Sequence, residues 1–379
     1  MRNKNLVETL VITGDDVATI VASVGHDRLM DGVISGLDAA FRAFDLNEKI
    51  PIRDGFVIGR RRQGTLEWMP IMSRTEALVK MVSYSPENPL DRGLPTILAT
   101  ISLFDNQSGH LLAIGDGVLS TALRTGAASA IASRALAKPD SKTMGLVGAG
   151  AQAVTQLHAL SRLFPLSRAL VYDVDPNVAQ SFLRRTAFLG LDVRVSSLEQ
   201  LEEESDIIST QTSIAIGAGP VLKGDRLRPW VHINAVGSDL EGKTELPRAV
   251  LQRSLVCPDY LPQAVREGEC QQLDADQIGP SLAELIQQPE KVAGWREKST
   301  VFDSTGFALE DRVAMNVMLH HARALGCGTS LPIEYLAADP LDPYSRPRKP
   351  ARAVPPTNPR TLPEEPRRES GFTSDQVAG

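Results

Sequence analysis

The sequence predicts an α/β protein in two parts: a parallel sheet with helices on both faces, and ahead of it an α+β part whose sheet is largely antiparallel. Three observations carry this. From residue 143 onward, short apolar runs alternate with helical periodicity, the pattern of parallel strands joined by crossover helices. Between residues 51 and 115, strand-like runs follow one another with Pro, Gly, Asn and Asp turns between them instead of helices. And the stretch Thr143-Met144-Gly145-Leu146-Val147-Gly148-Ala149-Gly150-Ala151-Gln152-Ala153 runs an apolar strand through a glycine turn into the start of a helix.

Taken in order, residues 15–46 are mostly helical: Asp15 and Asp16 stand at the start, and Val17, Ile20, Val21, Met30, Val33, Ile34, Leu37, Ala40 and Phe41 recur at helical spacing. Strands follow at 65–69, 77–84 and 96–104, a hairpin turn at 105–109, and a return strand at 111–114. Residues 118–137 form an alanine-rich helix whose small residues, Gly126 to Ala130, allow close packing, and Pro139 ends it. The alternating part then reads strand 143–147, helix 151–163, strand 168–172, helix 176–187, strand 191–194, helix 197–202, and strands 206–210, 231–236 and 254–257. A helix at 279–288, a strand and turn at 301–306 and a helix at 308–325 complete the ordered region. From Asp339 the composition shifts: nine of the 25 prolines lie between Pro340 and Pro366, among arginine, lysine and glutamate. Such a tail, 339–379, cannot bury enough apolar surface to fold and is expected to be disordered.

The bulk properties narrow the class. With 379 residues the chain has room for two domains. A net charge of -6 and the lack of a large basic block argue against nucleic acid as a partner. No run approaches the ~18 apolar residues of a membrane span, and the N-terminus carries no signal-peptide core. Three cysteines, Cys257, Cys270 and Cys327, lack metal-binding spacing, so reduced thiols in a cytoplasmic protein, without a metal site, are expected.

The glycine turn suits a bound dinucleotide, in the manner of a Rossmann-type domain. Gly148 permits the sharp turn, Gly150 lets backbone N–H groups approach a pyrophosphate, and the following helix directs its positive end at the phosphates. Ala153 replaces the third glycine of the usual fingerprint, a variant that still lets helix and strand pack closely. The next strand, Ala169-Leu170-Val171-Tyr172, ends on Asp173, an acid placed to bind ribose hydroxyls and to repel a 2′-phosphate, which favours NAD over NADP. An ordinary glycine-capped βα turn is the competing reading.

Charges inside apolar runs form a second set. Arg53 lies in a loop, Glu67 within Leu66-Glu67-Trp68-Met69, Lys80 within Leu78-Val79-Lys80-Met81, and Arg124 in the alanine-rich helix. Singly, each fits a solvent-facing position or an internal ion pair; together, three cations from separate elements suit a bound carboxylate. A third block, Val236-Gly237-Ser238-Asp239, ends a strand and places Asp239 at the C-terminal edge of the sheet, where a carboxylate can shuttle protons or cap a turn.

These blocks, with Leu94-Pro95-Thr96, Thr121 to Ala127, Gly242-Lys243-Thr244-Glu245-Leu246 and Asp303-Ser304-Thr305-Gly306, resemble the ornithine cyclodeaminase/μ-crystallin family over residues 10–345. Longer strings, such as Val82-Ser83-Tyr84-Ser85-Pro86-Glu87-Asn88-Pro89 and Arg266-Glu267-Gly268-Glu269-Cys270, are most similar to its lysine cyclodeaminases. The resemblance implies that Arg53, Lys80 and Arg124 hold a substrate α-carboxylate, with Thr305 also at the substrate. It implies that Glu67 and Asp239 are acid/base groups beside the substrate amines. It places Thr96, Ala151, Gln152, Asp173, Thr212, Val236, Lys243 and Ser304 around NAD. It further implies a substrate and dimerisation domain from 1–125 with 308–338, a Rossmann NAD-binding domain from 126–307, and a homodimer built through the antiparallel sheet. The implied reaction closes a ring on an amino-acid substrate with loss of ammonia, L-lysine to L-pipecolate, NAD being reduced and reoxidised in one cycle. The competing functions are conversion of ornithine to proline, an NAD(P)H-dependent cyclic imine or ketimine reductase, an amino-acid dehydrogenase, and a non-enzymatic binding protein.

Overall fold

The computed structural model describes residues 8–59 and 63–346. Residues 335–346 form a small turn-rich unit, in which the Tyr335 hydroxyl donates to the Ser345 carbonyl at 2.8 Å and the Ala338 amide to the Arg346 carbonyl at 3.0 Å. Of the tail expected to be disordered, residues 347–379 lie outside the described residues. Everything else described here belongs to the compact unit of residues 8–334.

The chain begins with β1 (Thr9–Ile12), α1 (Gly14–Val24) and α2 (His26–Arg42). Thr13 and Asp16 cap α1 reciprocally, and Gly25, at φ 85°, separates the two helices. The stretch expected to be mostly helical is therefore two helices with a glycine break. Next come β2 (Asp54–Ile58), β3 (Gly64–Met72), β4 (Glu76–Tyr84), α3 (Asn88–Asp91), β5 (Ile97–Asp105) and β6 (Leu111–Asp116). With β14 (Thr329–Leu331) they form a seven-stranded sheet in the order β14-β1-β6-β5-β4-β3-β2, antiparallel except where β1 runs parallel to β6. Its inner face carries Met69, Ile71, Leu78, Val82, Ile101 and Leu103, all buried in a core that also takes Leu37 and Phe41 of α2.

The chain continues through α4 (Val118–Leu136), β7 (Thr143–Val147), α5 (Ala151–Leu163), β8 (Arg168–Tyr172), α6 (Pro176–Arg185), β9 (Asp192–Val195), α7 (Leu198–Glu204), β10 (Ile207–Thr210) and β11 (His232–Ala235). It then forms α8 (Arg248–Gln252), β12 (Leu255–Pro258), α9 (Leu261–Glu267), α10 (Leu282–Gln287), β13 (Thr300–Asp303) and α11 (Ala308–Leu325). The seven strands from β7 to β13 form an all-parallel sheet in the order β12-β13-β11-β10-β7-β8-β9. One face packs Leu146, Ala169 and Phe302 into the core shared with α4 and α5, and the other packs Ile208, Ile233, Val256 and Val301 against α7, α8 and α9. Burial on both faces explains why these strands read as unbroken apolar runs.

The strand order reverses between β7 and β10, so the crevice at that switch point is the expected ligand site of a Rossmann-type sheet. Helix α4 is continuous through residues 125 and 126, where a domain boundary was expected. At Gly126 its backbone lies against α5: a Cβ there would stand 2.4 Å from the Thr155 carbonyl oxygen.

Candidate active site

The glycine turn leaves β7 with Gly148 at φ 89°, a conformation only glycine adopts without strain. A Cβ at Gly148 would also stand 3.0 Å from the Gln211 carbonyl at the end of β10. Gly150 is different: its φ is -73°, and a Cβ there would have no protein atom within 4 Å. The space over Gly150 opens on the N-terminus of α5, where Ala151 and Gln152 occupy the first turn and no side chain caps the N–H groups. Asp173, just past β8, accepts the Ala149 amide at 2.7 Å with one carboxylate oxygen and the Asp175 amide at 2.9 Å with the other. The turn thereby fixes the orientation of the acid at its edge. Arg185 of α6, which the sequence did not flag, donates to the Ala149 carbonyl at 2.5 Å and braces the same turn.

Across the switch point, a buried carboxylate joins two loops. Glu245 accepts the Thr212 amide at 2.7 Å, the Thr212 hydroxyl at 2.6 Å and the Gly237 amide at 2.8 Å. The segments after β10 and β11 are thus held together beneath Val236, itself nearly buried. Beyond Gly237, the Asp239 carboxylate pairs with the Lys243 ammonium at 2.8 Å, and that ammonium also lies 4.9 Å from the centre of the Tyr84 ring. Burial opposes the charge on Lys243, but Asp239 and Tyr84 hold its pKa above the ordinary lysine value. At the end of β13, Ser304 has a buried hydroxyl with no hydrogen-bond partner among the described residues. Thr305 donates its hydroxyl to Asp259 at 2.9 Å and accepts from Gln263 at 3.1 Å. Thr96 stands just before β5, its carbonyl accepting the Ser85 amide at 2.8 Å; among the described residues no hydrogen bond joins its side chain to the rest of the set.

The three cations do come together with acids, and each is already ion-paired. Arg53, just before β2, meets Glu267 at 2.6 Å and Glu67 at 3.9 Å through Nε, and donates through Nη1 to the Thr305 carbonyl and through Nη2 to the Asp239 carbonyl. Lys80 of β4 meets Asp311 at 2.9 Å; Arg124 of α4 meets Glu310 at 2.8 Å and Asp311 at 3.3 Å. Both reach acids in the first turn of α11, side chains that the sequence pattern gave no reason to single out. A lysine 1% exposed needs such a partner, because desolvating an unpaired charge costs several kcal/mol. Even so, burial lowers the Lys80 pKa to about 8, against the pull of Asp311. Burial raises the acids: Glu310 to about 8 and Glu267 to about 7, both against the pull of their arginines, and Glu67 in the same direction. The site therefore holds a carboxylate-rich cluster at the foot of the antiparallel sheet, facing loops from the C-terminal edge of the parallel one.

Known proteins resemble the chain over most of its length. The chain is 44% identical over 342 residues to L-lysine cyclodeaminase of Streptomyces rapamycinicus, covering 89% of this chain and 100% of that protein. A solved lysine cyclodeaminase, described for its recognition of L-lysine, L-ornithine and L-2,4-diaminobutyric acid, superimposes with a TM-score of 0.87 at 50% identity, covering 89% of this chain and 99% of that one. An archaeal alanine dehydrogenase dimer with bound NAD gives 0.75 at 30% identity, over 86% of this chain and 100% of that one. The profile of the ornithine cyclodeaminase/mu-crystallin family matches residues 15–325, and the chain belongs to that family.

Proposed function

We propose that the protein is an L-lysine cyclodeaminase, an ammonia-lyase that converts L-lysine to L-pipecolate with NAD as a regenerated cofactor. The observation that carries this reading is the placement of Glu67, Glu267 and Asp239 around Arg53, alongside the dinucleotide-type turn, in a chain so similar to a lysine cyclodeaminase along its length.

The residues fit NAD. Gly148 makes the turn, the open space over Gly150 leaves room for a pyrophosphate, Asp173 stands ready for ribose hydroxyls, and the unpartnered Ser304 hydroxyl is free to bond a ligand. Ala151, Gln152, Thr96, Thr212, Val236 and Lys243 complete the proposed contact set. When bound, NAD supplies reversible hydride acceptance at the substrate Cα.

The chain's own residues do the rest. Arg53, Lys80 and Arg124 are the cationic groups that would bind the α-carboxylate, Arg53 remaining anchored on two backbone carbonyls, with Thr305 at the substrate. The distal amine must be neutral to attack Cα. Asp239, held by Lys243, takes its proton, and Glu67 stands beside the amines as the second acid/base group. Ring closure is intramolecular in the substrate itself, and holding both of its ends orients the distal amine toward Cα, which lowers the entropic part of the barrier.

The outer face and edge of the antiparallel sheet leave Phe56, Val57 and Met72 more than 60% exposed, which supports a homodimer built through this sheet. The buried Cys257 and Cys270, both without a disulfide, support a cytoplasmic enzyme. The experiment is incubation with L-lysine or L-ornithine and catalytic NAD. Ammonia and L-pipecolate should form, with pipecolate exceeding proline and no net change in NADH absorbance. Steady NADH consumption with a cyclic imine would instead identify a reductase.

A further inference from the structure

We propose that Glu267 is an acid/base group of the reaction: it shares one exchangeable proton with Glu67 across the Arg53 guanidinium and supplies the proton that the departing ammonia carries away. This rests on the cyclodeaminase reading and adds a residue to it.

The geometry is that of two carboxyls and one cation. Glu267, the last residue of α9, places a carboxylate oxygen 2.6 Å from Arg53 Nε, and Glu67 approaches the same nitrogen at 3.9 Å. The other two nitrogens of Arg53 are spent on backbone carbonyls. Asp239 borders the same guanidinium but has its own counter-ion in Lys243. The group Arg53, Glu67 and Glu267 thus carries one negative charge more than its cation balances. The two side chains are only 13% and 9% exposed, so binding a proton is the cheapest way to shed that charge. Among the described residues, the charged groups that face Glu267 are Arg53 from the segment before β2, Glu67 from β3 and Asp239 from the loop after β11, and Lys80 of β4 also acts on Glu67; Asp303 of β13 lies against the adjoining Gly268. Burial outweighs Arg53 and, with Glu67 and Asp239, sets Glu267 near neutrality, at about 7.

The reaction has a use for such a proton. Once Cα has given up its hydride and is double-bonded to Nα as an iminium, ring closure forms the bond from the distal nitrogen to Cα while the Cα–Nα π pair moves onto Nα, and the distal nitrogen gives up a proton to Asp239. Breaking the Cα–Nα bond sends its electron pair away with the nitrogen, which must gain a proton to leave as ammonia. Glu267 and Glu67 hold the proton for this second transfer, and the one on Asp239 restores it, so none is gained or lost by the enzyme in these two steps.

The test compares Glu267→Gln and Glu267→Asp with the parent enzyme on L-lysine. Expected for Glu267→Gln is a fall in ammonia release of at least a hundredfold, an unchanged first burst of 340 nm absorbance, and loss of the decline in kcat expected of the parent above neutral pH. Glu267→Asp should recover part of the rate and the decline. In the substrate-free proteins, infrared difference spectra should show a carboxyl band titrating near neutrality in the parent and missing in Glu267→Gln. Turnover within threefold of the parent with the same pH profile would overturn the proposal, as would equal loss of the burst and of ammonia release. A parent enzyme that releases no ammonia from either diamino acid would sink the cyclodeaminase reading itself, whatever the infrared band does.

Discussion

Alanine at Gly148 and alanine at Gly150 should have opposite consequences, although the two glycines are two residues apart in one turn. At position 148 the backbone sits at φ 89°, and the new methyl would press on the Gln211 carbonyl at 3.0 Å and the Thr212 methyl at 3.1 Å. A non-glycine residue in such a conformation costs about 1–3 kcal/mol, and the contact with the end of β10 adds to it. Gly148→Ala should therefore lower the melting temperature by a few degrees in thermal unfolding. At position 150 the backbone is already at φ -73° and the methyl meets no protein atom within 4 Å. Gly150→Ala should leave the melting temperature unchanged or slightly higher, since it removes freedom only from the unfolded chain. Its effect falls on the ligand: the methyl would occupy the space from which a pyrophosphate reaches the N–H groups of α5. Losing one hydrogen bond to a charged group costs about 1.5–3 kcal/mol, equivalent to roughly 10- to 150-fold in Kd. Calorimetric titration with NAD measures this directly. A Gly150→Ala protein that binds NAD within threefold of the parent would refute the assignment of that space to the phosphates.

Three further outcomes follow from the site. Asp239→Asn should keep NAD binding within threefold but lose turnover by about 10²–10⁴-fold, the usual range for removing an acid/base group; activity near the parent's would exclude Asp239 from that role. Asp173→Ser should raise the ratio of NADP to NAD use, because it removes the charge that opposes a 2′-phosphate, and coupled assays with each cofactor read the ratio. Stability should fall as pH rises from about 5 to 8. The folded-state pKa values of Glu267, Asp303 and Glu310 are raised by burial to about 7, 7 and 8, so in that window the folded protein holds protons that the unfolded chain has released. That contribution is present at low pH and lost above about 8. Lys80, lowered by burial to about 8, acts in the opposite direction only above that value, and the one proton of His232, lowered by burial to about 4, opposes the three acids in the lower part of the window without outweighing them. Melting temperatures that climb steadily from pH 5 to 8 would contradict the burial of these acids.

The parallel part of the fold was legible because crossover strands buried on both faces leave unbroken apolar runs, and its glycine turn is a local signal. Short or one-sided elements were not. Strand β1 has four residues and β2 lies at an exposed edge with little apolar alternation, so neither announces itself; α8 and α9 are too short for helical periodicity to register. The site shows the same division. Lys80 and Arg124 stood out as charges in apolar surroundings, but their partners did not. Asp311 and Glu310 are two acids at a helix start, a common place for acids, and lie 231 and 186 residues further along the chain. Glu267, Glu245 and Asp259 gained meaning only when folding drew the loops of the parallel sheet together. The expectation that three cations would await a ligand was also incomplete, since a buried cation cannot wait unpaired.

The seam at Gly126 bears on how ligands come and go. Arg124 lies one half-turn before it on α4, and α5, pressed against that seam, begins at the dinucleotide turn. The Gln156 side chain of α5 adds a 3.3 Å hydrogen bond to the Thr125 carbonyl. The arginine and the turn are thus two points on one stiff bracket, their spacing set by backbone contact with no side chain to cushion it. A clam-shell opening of the two sheets would have to shear that bracket apart. Any residue larger than glycine at 126 would have to push α4 and α5 apart, and would so shift Arg124 against the dinucleotide turn even where the protein still folds.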